Sequence, residues 1–305
     1  MVTHPSYLLR LFPDKLPRFS GLWAIALGVL AALGFAPLGL WPVALIAAGF
    51  AIRLFALAQT RRQAAWLGWL FGLGHFTFGN NWIATAFTFQ TEMPEVLGWF
   101  AVPLIGVYLG VYPMLAAFVT RWIAGRGFGL GFVLVFAGAW VLSEWMRGWA
   151  FTGYGWNPFA MTLLGGIERP GLAALAPWMG TYALSGLAML LAGALILLLS
   201  ERRVVLSGTI AALLALGMYA PASAPREGTL ALTIAQPDIR QPTLTNPAYF
   251  EANFRRLAEL SPRLEVADET PRLVLWPESG MVDYLREGYP QRYYNRTTAL
   301  GSPVF

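Results

Sequence analysis

At 305 residues the chain is long enough for two domains, but 57% of it is hydrophobic and 12% charged, against roughly 25% charged in an average soluble domain, so a membrane protein is expected. The net charge of +5 comes entirely from residues 1–225, with 12 Lys/Arg against 6 Asp/Glu, since residues 226–305 carry 9 Arg against 10 Asp/Glu; the basic residues sit as short pairs between apolar runs, not as a clustered face, which excludes a nucleic-acid partner. Cysteine is absent and the histidines are His4 and His75, so disulfides, thiol chemistry and Cys-based metal sites are excluded for these residues and no metal or cofactor is expected.

Spanning about 30 Å of hydrocarbon takes about 20 mostly apolar residues in a helix. Such runs fall near 21–40, 41–59, 64–84, 96–120, 128–146, 173–200 and 203–220, which predicts about seven transmembrane helices. The first run is too long for a signal peptide's apolar core and six more follow. Orientation comes from the loops, because short cytoplasmic loops retain Lys/Arg. Arg10, Lys15 and Arg18 precede the first span, Arg53, Arg61 and Arg62 surround the second loop, Arg121 and Arg126 lie in the fourth, and Arg202 and Arg203 in the sixth. The alternate loops are nearly free of basic residues, so the amino terminus is expected in the cytoplasm and everything after about residue 221 outside.

Within the spans, Gly68 and Gly72 form a small-xxx-small pair that lets helices approach closely. Trp41, Trp82, Trp99, Trp145, Trp149 and Trp156 gather at predicted outer ends, as in an interfacial belt. His75 reads as a packing or polar-network residue. In the stretch Trp140 to Trp149, Glu144 and Arg147 stand three apart and share a helix face, either as a structural ion pair closing a helix end or as part of a site. Phe151 to Pro158 then brings two glycines, a proline and the aromatics Tyr154 and Trp156; it reads as a re-entrant or interfacial loop that contacts lipid, or as an aromatic connector.

Pro221 to Pro225 reads as a linker between a helical membrane domain, 1–225, and an outer segment, 226–305. There, Leu230–Ala235 is of strand length, and Gln236 follows it. Phe250, Phe254, Leu257 and Leu264 recur at helical spacing from Pro247 to about Leu264, with Asn246 as cap. Residues 272–276 form a second strand-like run ended by Pro277, and Glu278 stands where active-site residues of layered α/β domains gather, at the carboxyl end of a strand. On the local pattern alone a solvated loop glutamate is the commoner reading, since charged residues often follow strands. A β-α-β unit of this length is not a whole α/β domain, so the outer domain looks unfinished at Phe305.

The order of these pieces resembles the apolipoprotein N-acyltransferases of bacterial inner membranes: Phe35–Pro42 after the first span, Trp140 to Pro158, Gln236 after the first outer strand, and Trp276-Pro277-Glu278-Ser279. The resemblance implies a multi-span helical domain followed by an incomplete nitrilase-like (αββα) domain in the periplasm. It also implies a reaction: a phospholipid acyl donor acylates a cysteine through a Glu-Lys-Cys triad, and the acyl group passes to the amino-terminal diacylglyceryl cysteine of an apolipoprotein. In that scheme Glu278 is the general base on the thiol, a lysine stabilises the oxyanion, and Trp82, Tyr154, Trp156 and Gln236 are candidate substrate contacts. Lys15 is the only lysine and there is no cysteine, so the chain is expected to be an inactive amino-terminal part of the enzyme. The alternative is a non-catalytic membrane scaffold that binds lipid or lipoprotein.

Overall fold

The computed structural model describes residues 15–89, 94–151, 153–166, 169–221, 228–244, 246–260 and 272–277. The chain divides into two compact units, Met1–Ser223 and Ala224–Phe305.

The first unit is helical. Its main helices are α1 (Ser20–Ala32), α2 (Trp41–Leu57), α3 (Arg61–Gly79), α5 (Val96–Leu109), α6 (Val111–Ile123), α7 (Leu130–Arg147), α8 (Ala176–Ser200) and α9 (Val204–Tyr219), with a single turn, α4 (Ile83–Ala86), after α3. A helix lies in each of the seven predicted segments, with altered limits. Helix α1 stops at Ala32 rather than running to residue 40, because Gly34, Pro37 and left-handed Gly39 take the chain through a turn. Thr60 starts α3 early by accepting the Gln63 N–H at 3.1 Å, while the Gln63 side chain reaches back to the Gln59 N–H at 2.7 Å. The fourth run divides into α5 and α6 at Gly110, since Pro113 has no N–H to offer the Leu109 carbonyl.

Among the described residues, Val96–Ile123, Leu130–Arg147 and Gly171–Ser200 are long and apolar enough to cross a membrane, and Ser20–Ala32, Trp41–Leu57 and Val204–Tyr219 are apolar but shorter. Thirteen residues of α1 extend about 20 Å, less than the hydrocarbon thickness. The most extensive packing pairs are α1 with α3, α3 with α6, α2 with α8, α7 with α8 and α6 with α7, followed by α1 with α2 and α3 with α5. The α3–α6 contact uses the two glycines singled out by spacing: a Cβ on Gly68 would stand 2.6 Å from the Pro113 carbonyl oxygen, and one on Gly72 2.7 Å from the Gly110 Cα. Alanines and aromatic rings fill the core, with Phe55, Phe71, Trp140 and Phe136 closing a ring of contacts and Phe159 packed against Trp140. Large apolar side chains also face outward, including Trp23, Phe100, Leu104, Leu142 and Leu216, the outer surface expected of helices that meet lipid.

The second unit holds β1 (Ala231–Ile234), the short turn α10 (Gln241–Leu244), α11 (Phe250–Leu260) and β2 (Arg272–Leu275). The strands are parallel, Ala231 opposite Arg272 and Ile234 opposite Leu275, and the Ala235 N–H extends the ladder to the Leu275 carbonyl at 3.0 Å. Asn246 accepts the Ala248 N–H at 3.0 Å, but it opens a 3-10 turn, Pro247–Tyr249, before α11 starts. Helix α11 buries Phe254, Leu257 and Ala258, with Trp276 packed edge-on to Phe254 at 5.9 Å. The helix is described to Leu260, and the remainder of the expected run to Leu264 lies outside the described residues.

Candidate functional site

The last turn of α7 places Glu144 and Arg147 on one face, and the chain then folds back over them. Their side chains are 3% and 2% exposed, with Arg147 Nη2 3.6 Å from Glu144 Oε1. Both groups hold the returning loop by its backbone. Arg147 Nη1 donates to the carbonyls of Tyr154, at 3.0 Å, and Trp156, and Nη2 to that of Asn157 at 3.4 Å. Glu144 Oε1 accepts the Phe159 N–H at 2.8 Å, and Ser185 of α8 takes the next one, from Ala160, at 2.8 Å. The guanidinium also lies 5.1 Å from the centroid of the Phe76 ring. In the loop Gly153, Tyr154, Asn157 and Pro158 are half-buried, Gly155 and Trp156 exposed, and Phe159 and Ala160 fully buried; where it runs against the helices, side chains satisfy its backbone groups. Removing one partner of a buried pair costs about 3–5 kcal/mol, because the other charge stays behind.

A second tie joins the loop to the end of α3. Asn80, fully buried, donates from Nδ2 to the Phe76 carbonyl at 2.9 Å, and its Oδ1 accepts from the Tyr154 hydroxyl and from Asn157 Nδ2, both at 3.0 Å. Asn157 Nδ2 also donates to the Gly79 carbonyl at 3.0 Å. Asn157 has φ of 54°, a left-handed conformation that Asn tolerates better than most residues. Burial raises the Tyr154 phenol above its usual range against the opposing pull of Arg147, so it stays protonated and able to donate.

These ties bring Trp82, which follows Asn80 and Asn81, against Trp156: the rings meet edge to face at 5.7 Å and both are exposed. Beside Trp82 is a cavity of about 280 Å³ lined by Asn81, Trp82, Thr85, Thr88, Glu95 and Trp99. Asn81 and Trp99 are shared with a larger, almost wholly apolar groove of about 510 Å³ between α1, α3 and α5, walled by Ile25, Val29, Leu73, Phe78 and Val102. The smaller cavity has a mixed wall, its polar groups beside Ala84 and two tryptophan rings, and both volumes are near or within the usual range for ligand pockets.

Of the candidates from sequence, Trp82, Tyr154 and Trp156 converge with Glu144 and Arg147. The Tyr154 hydroxyl is committed to Asn80. Gln236 belongs to the second unit, where it is exposed after β1, and Glu278 lies outside the described residues. His75 is 1% exposed between the rings of Phe35, Phe71 and Phe159, as a packing residue would be. Asn80 and Ser185 carry much of the network; in the sequence Asn80 stands out, with Asn81, as a polar interruption at the end of an apolar run, and nothing marks Ser185. Among the described residues no cluster of His, Asp or Glu has the make-up of a metal site.

Residues 27–194, over half of the chain and including the whole network just described, match the family described as apolipoprotein N-acyltransferase N-terminal domain. Similar proteins named apolipoprotein N-acyltransferase occur in Ralstonia nicotianae, 36% identical over 190 residues covering 61% of this chain and 35% of the relative. Those of Nitrosomonas europaea, 30% identical, and Caulobacter vibrioides, 31% identical, each align over 278 residues. They cover 88% and 87% of this chain but 53% and 51% of their own lengths, so the chain spans about half, or less, of these curated relatives. The chain belongs to the apolipoprotein N-acyltransferase family.

Proposed function

We propose that this chain is the membrane-embedding part of a phospholipid-dependent acyltransferase, the whole protein N-acylating the amino-terminal diacylglyceryl cysteine of apolipoproteins. The observation that carries this reading is the family match across residues 27–194, the stretch that builds the Glu144–Arg147 network and the aromatic pair. In this reading all seven helical segments cross the bacterial inner membrane, with the amino terminus cytoplasmic. Residues after about 221 are periplasmic and begin a nitrilase-like domain, for which the parallel β-α-β unit is a suitable start.

The chemistry is a two-step acyl transfer. A cysteine thiolate attacks the ester carbonyl of a phospholipid, expelling the lysophospholipid alkoxide, which is protonated as it leaves. The amine of the acceptor then attacks the thioester, the C–S bond breaks, and the proton lost by the nitrogen returns to the departing sulfur, which restores the thiol. Glu278 is the base that takes the thiol proton, and a lysine steadies the oxyanion. Trp82 and Trp156, exposed together at one end of the helical unit, contact the lipid substrates where headgroup and acyl chain meet, with the adjoining apolar groove receiving an acyl chain and the mixed cavity the headgroup side. Lys15 precedes the first span and no residue is cysteine, so these 305 residues by themselves lack two members of the triad and are inactive in acyl transfer.

The test is an acylation assay with a labelled phospholipid and a diacylated lipopeptide, on the complete gene product and on the 305 residues alone. Activity in the former, loss of about a hundredfold or more in Glu278→Gln, and no covalent acyl adduct in the latter are expected. Full activity of Glu278→Gln would remove that residue from the mechanism.

A further inference from the structure

Helix α3 reaches the site loop at Gly79 and begins, at the other end of the helical unit, at Arg61. The Ala58–Thr60 turn that precedes it gathers three guanidiniums. Arg121, in the last turn of α6, donates through Nε to the Ala58 carbonyl at 3.2 Å and through Nη2 to the Gln59 carbonyl at 3.4 Å, closing the carboxyl end of α2. Arg126 donates to Gln59 Oε1 at 2.6 Å. Arg61 lies 6.0 Å from the centroid of the Trp122 ring. Arg121 and Arg126 thus both bond to the Ala58–Gln59 stretch, and Arg61 follows Thr60 directly and lies over Trp122, the neighbour of Arg121, so the three stand around one turn.

Every described partner in that cluster is neutral: two carbonyls, an amide and a ring. The ion pairs among the described residues are elsewhere, at Arg147–Glu144, Arg203–Glu201 and Arg255–Glu251. The described carboxylates of the helical unit are Glu95 and Glu144, near the site, and Glu201, paired with Arg203. Nothing described offsets the charge at this turn. Arg61 and Arg62 also open α3, where the helix dipole is itself positive and favours anions over cations. The surface beside the cluster is apolar, with Trp122 and Ile123 of α6 58% and 65% exposed, a rim suited to acyl chains and interfacial contact rather than to a hydrated ion.

We propose that this turn binds the phosphate of an anionic phospholipid, gripped by the exposed guanidiniums of Arg61 and Arg126, while Trp122 and Ile123 lie against the lipid's glycerol and chains. Arginine suits this role because its planar fork presents two parallel donors to a phosphate. The inference depends on bilayer placement of the helical unit but not on acyl-transfer chemistry, so failure of either leaves the other standing.

The experiment uses the full chain in nanodiscs of phosphatidylcholine with and without phosphatidylglycerol, reading by native mass spectrometry the ratio of anionic to neutral lipid retained. Because the ratio is taken within one sample, a change in overall stability does not enter it. Retention of phosphatidylglycerol above its share of the bilayer is expected, falling about fivefold for each of Arg61→Gln and Arg126→Gln. Arg61→Lys with Arg126→Lys keeps the charge that orients the protein and should retain more anionic lipid than the paired Gln variants. Undiminished enrichment in the paired Gln variants, or none in the wild type, overturns the site. A thermal stabilisation by inorganic phosphate in phosphatidylcholine nanodiscs equal to that by phosphatidylglycerol overturns its assignment to lipid.

Discussion

The loop after α7 and the two-stranded sheet of the second unit solve the same problem in different ways. Both must satisfy a backbone that has left its helix or is flanked by apolar side chains. The loop does it with buried side chains: Arg147, Glu144 and Ser185 between them take five of its backbone groups, and Asn80 ties the side chains of Tyr154 and Asn157. The sheet does it with its own ladder, and one of its faces packs on α11 through Trp276. The other face presents Leu232, Ile234, Leu273 and Leu275, all exposed. Parallel sheets are ordinarily covered on both faces. The loop is therefore over-determined by specific contacts, whereas the sheet has one anchored face and one open to whatever covers it.

Substitutions can break that contrast. The largest effect is expected at Arg147→Met, which strands Glu144 without a counter-charge and releases three carbonyls; a loss of about 3–5 kcal/mol should appear as a lowered unfolding midpoint in detergent. A midpoint within error of wild type would show that the pair does not hold the loop. Phe254→Ala should cost about 3 kcal/mol locally, by opening the small cluster with Trp276, and limited proteolysis should then cut the second unit while the first stays intact. Asn80→Ala removes the acceptor shared by Tyr154 and Asn157, for about 1–3 kcal/mol. Its specific signature is a change in the mutual quenching of Trp82 and Trp156, and unchanged emission would mean that Asn80 does not position the pair. The smallest effect is expected at Ile234→Thr on the open sheet face, within about 0.5 kcal/mol if water covers it. A loss several times larger would reveal a covering partner.

Much of the architecture was legible because it rests on composition and period. Long apolar runs located the helices, short apolar runs of strand length the two strands, and helical spacing the amphipathic helix between them. Helix limits were less legible: Thr60 with Gln63 is a capping signal, but the division at Gly110 needs Pro113 and Leu109 to be considered as a hydrogen-bonding pair. The spacing of Glu144 and Arg147 showed that they share a face. That they turn inward and hold the backbone of residues 154–159 did not follow, since a pair at a helix end can equally face the headgroups.

What the sequence determined by itself, then, is local: which segments are helical, which glycines allow close packing, which aromatics gather at helix ends, and the basic loops that carry the excess charge. The tertiary structure decided which of those residues meet. Asn80 and Asn157 are 77 positions apart and Phe159 is 15 from Glu144, separations over which no spacing rule operates. Their contacts arise because a backbone carried into an apolar bundle must find partners among the polar side chains that the packing of α3, α7 and α8 brings within reach.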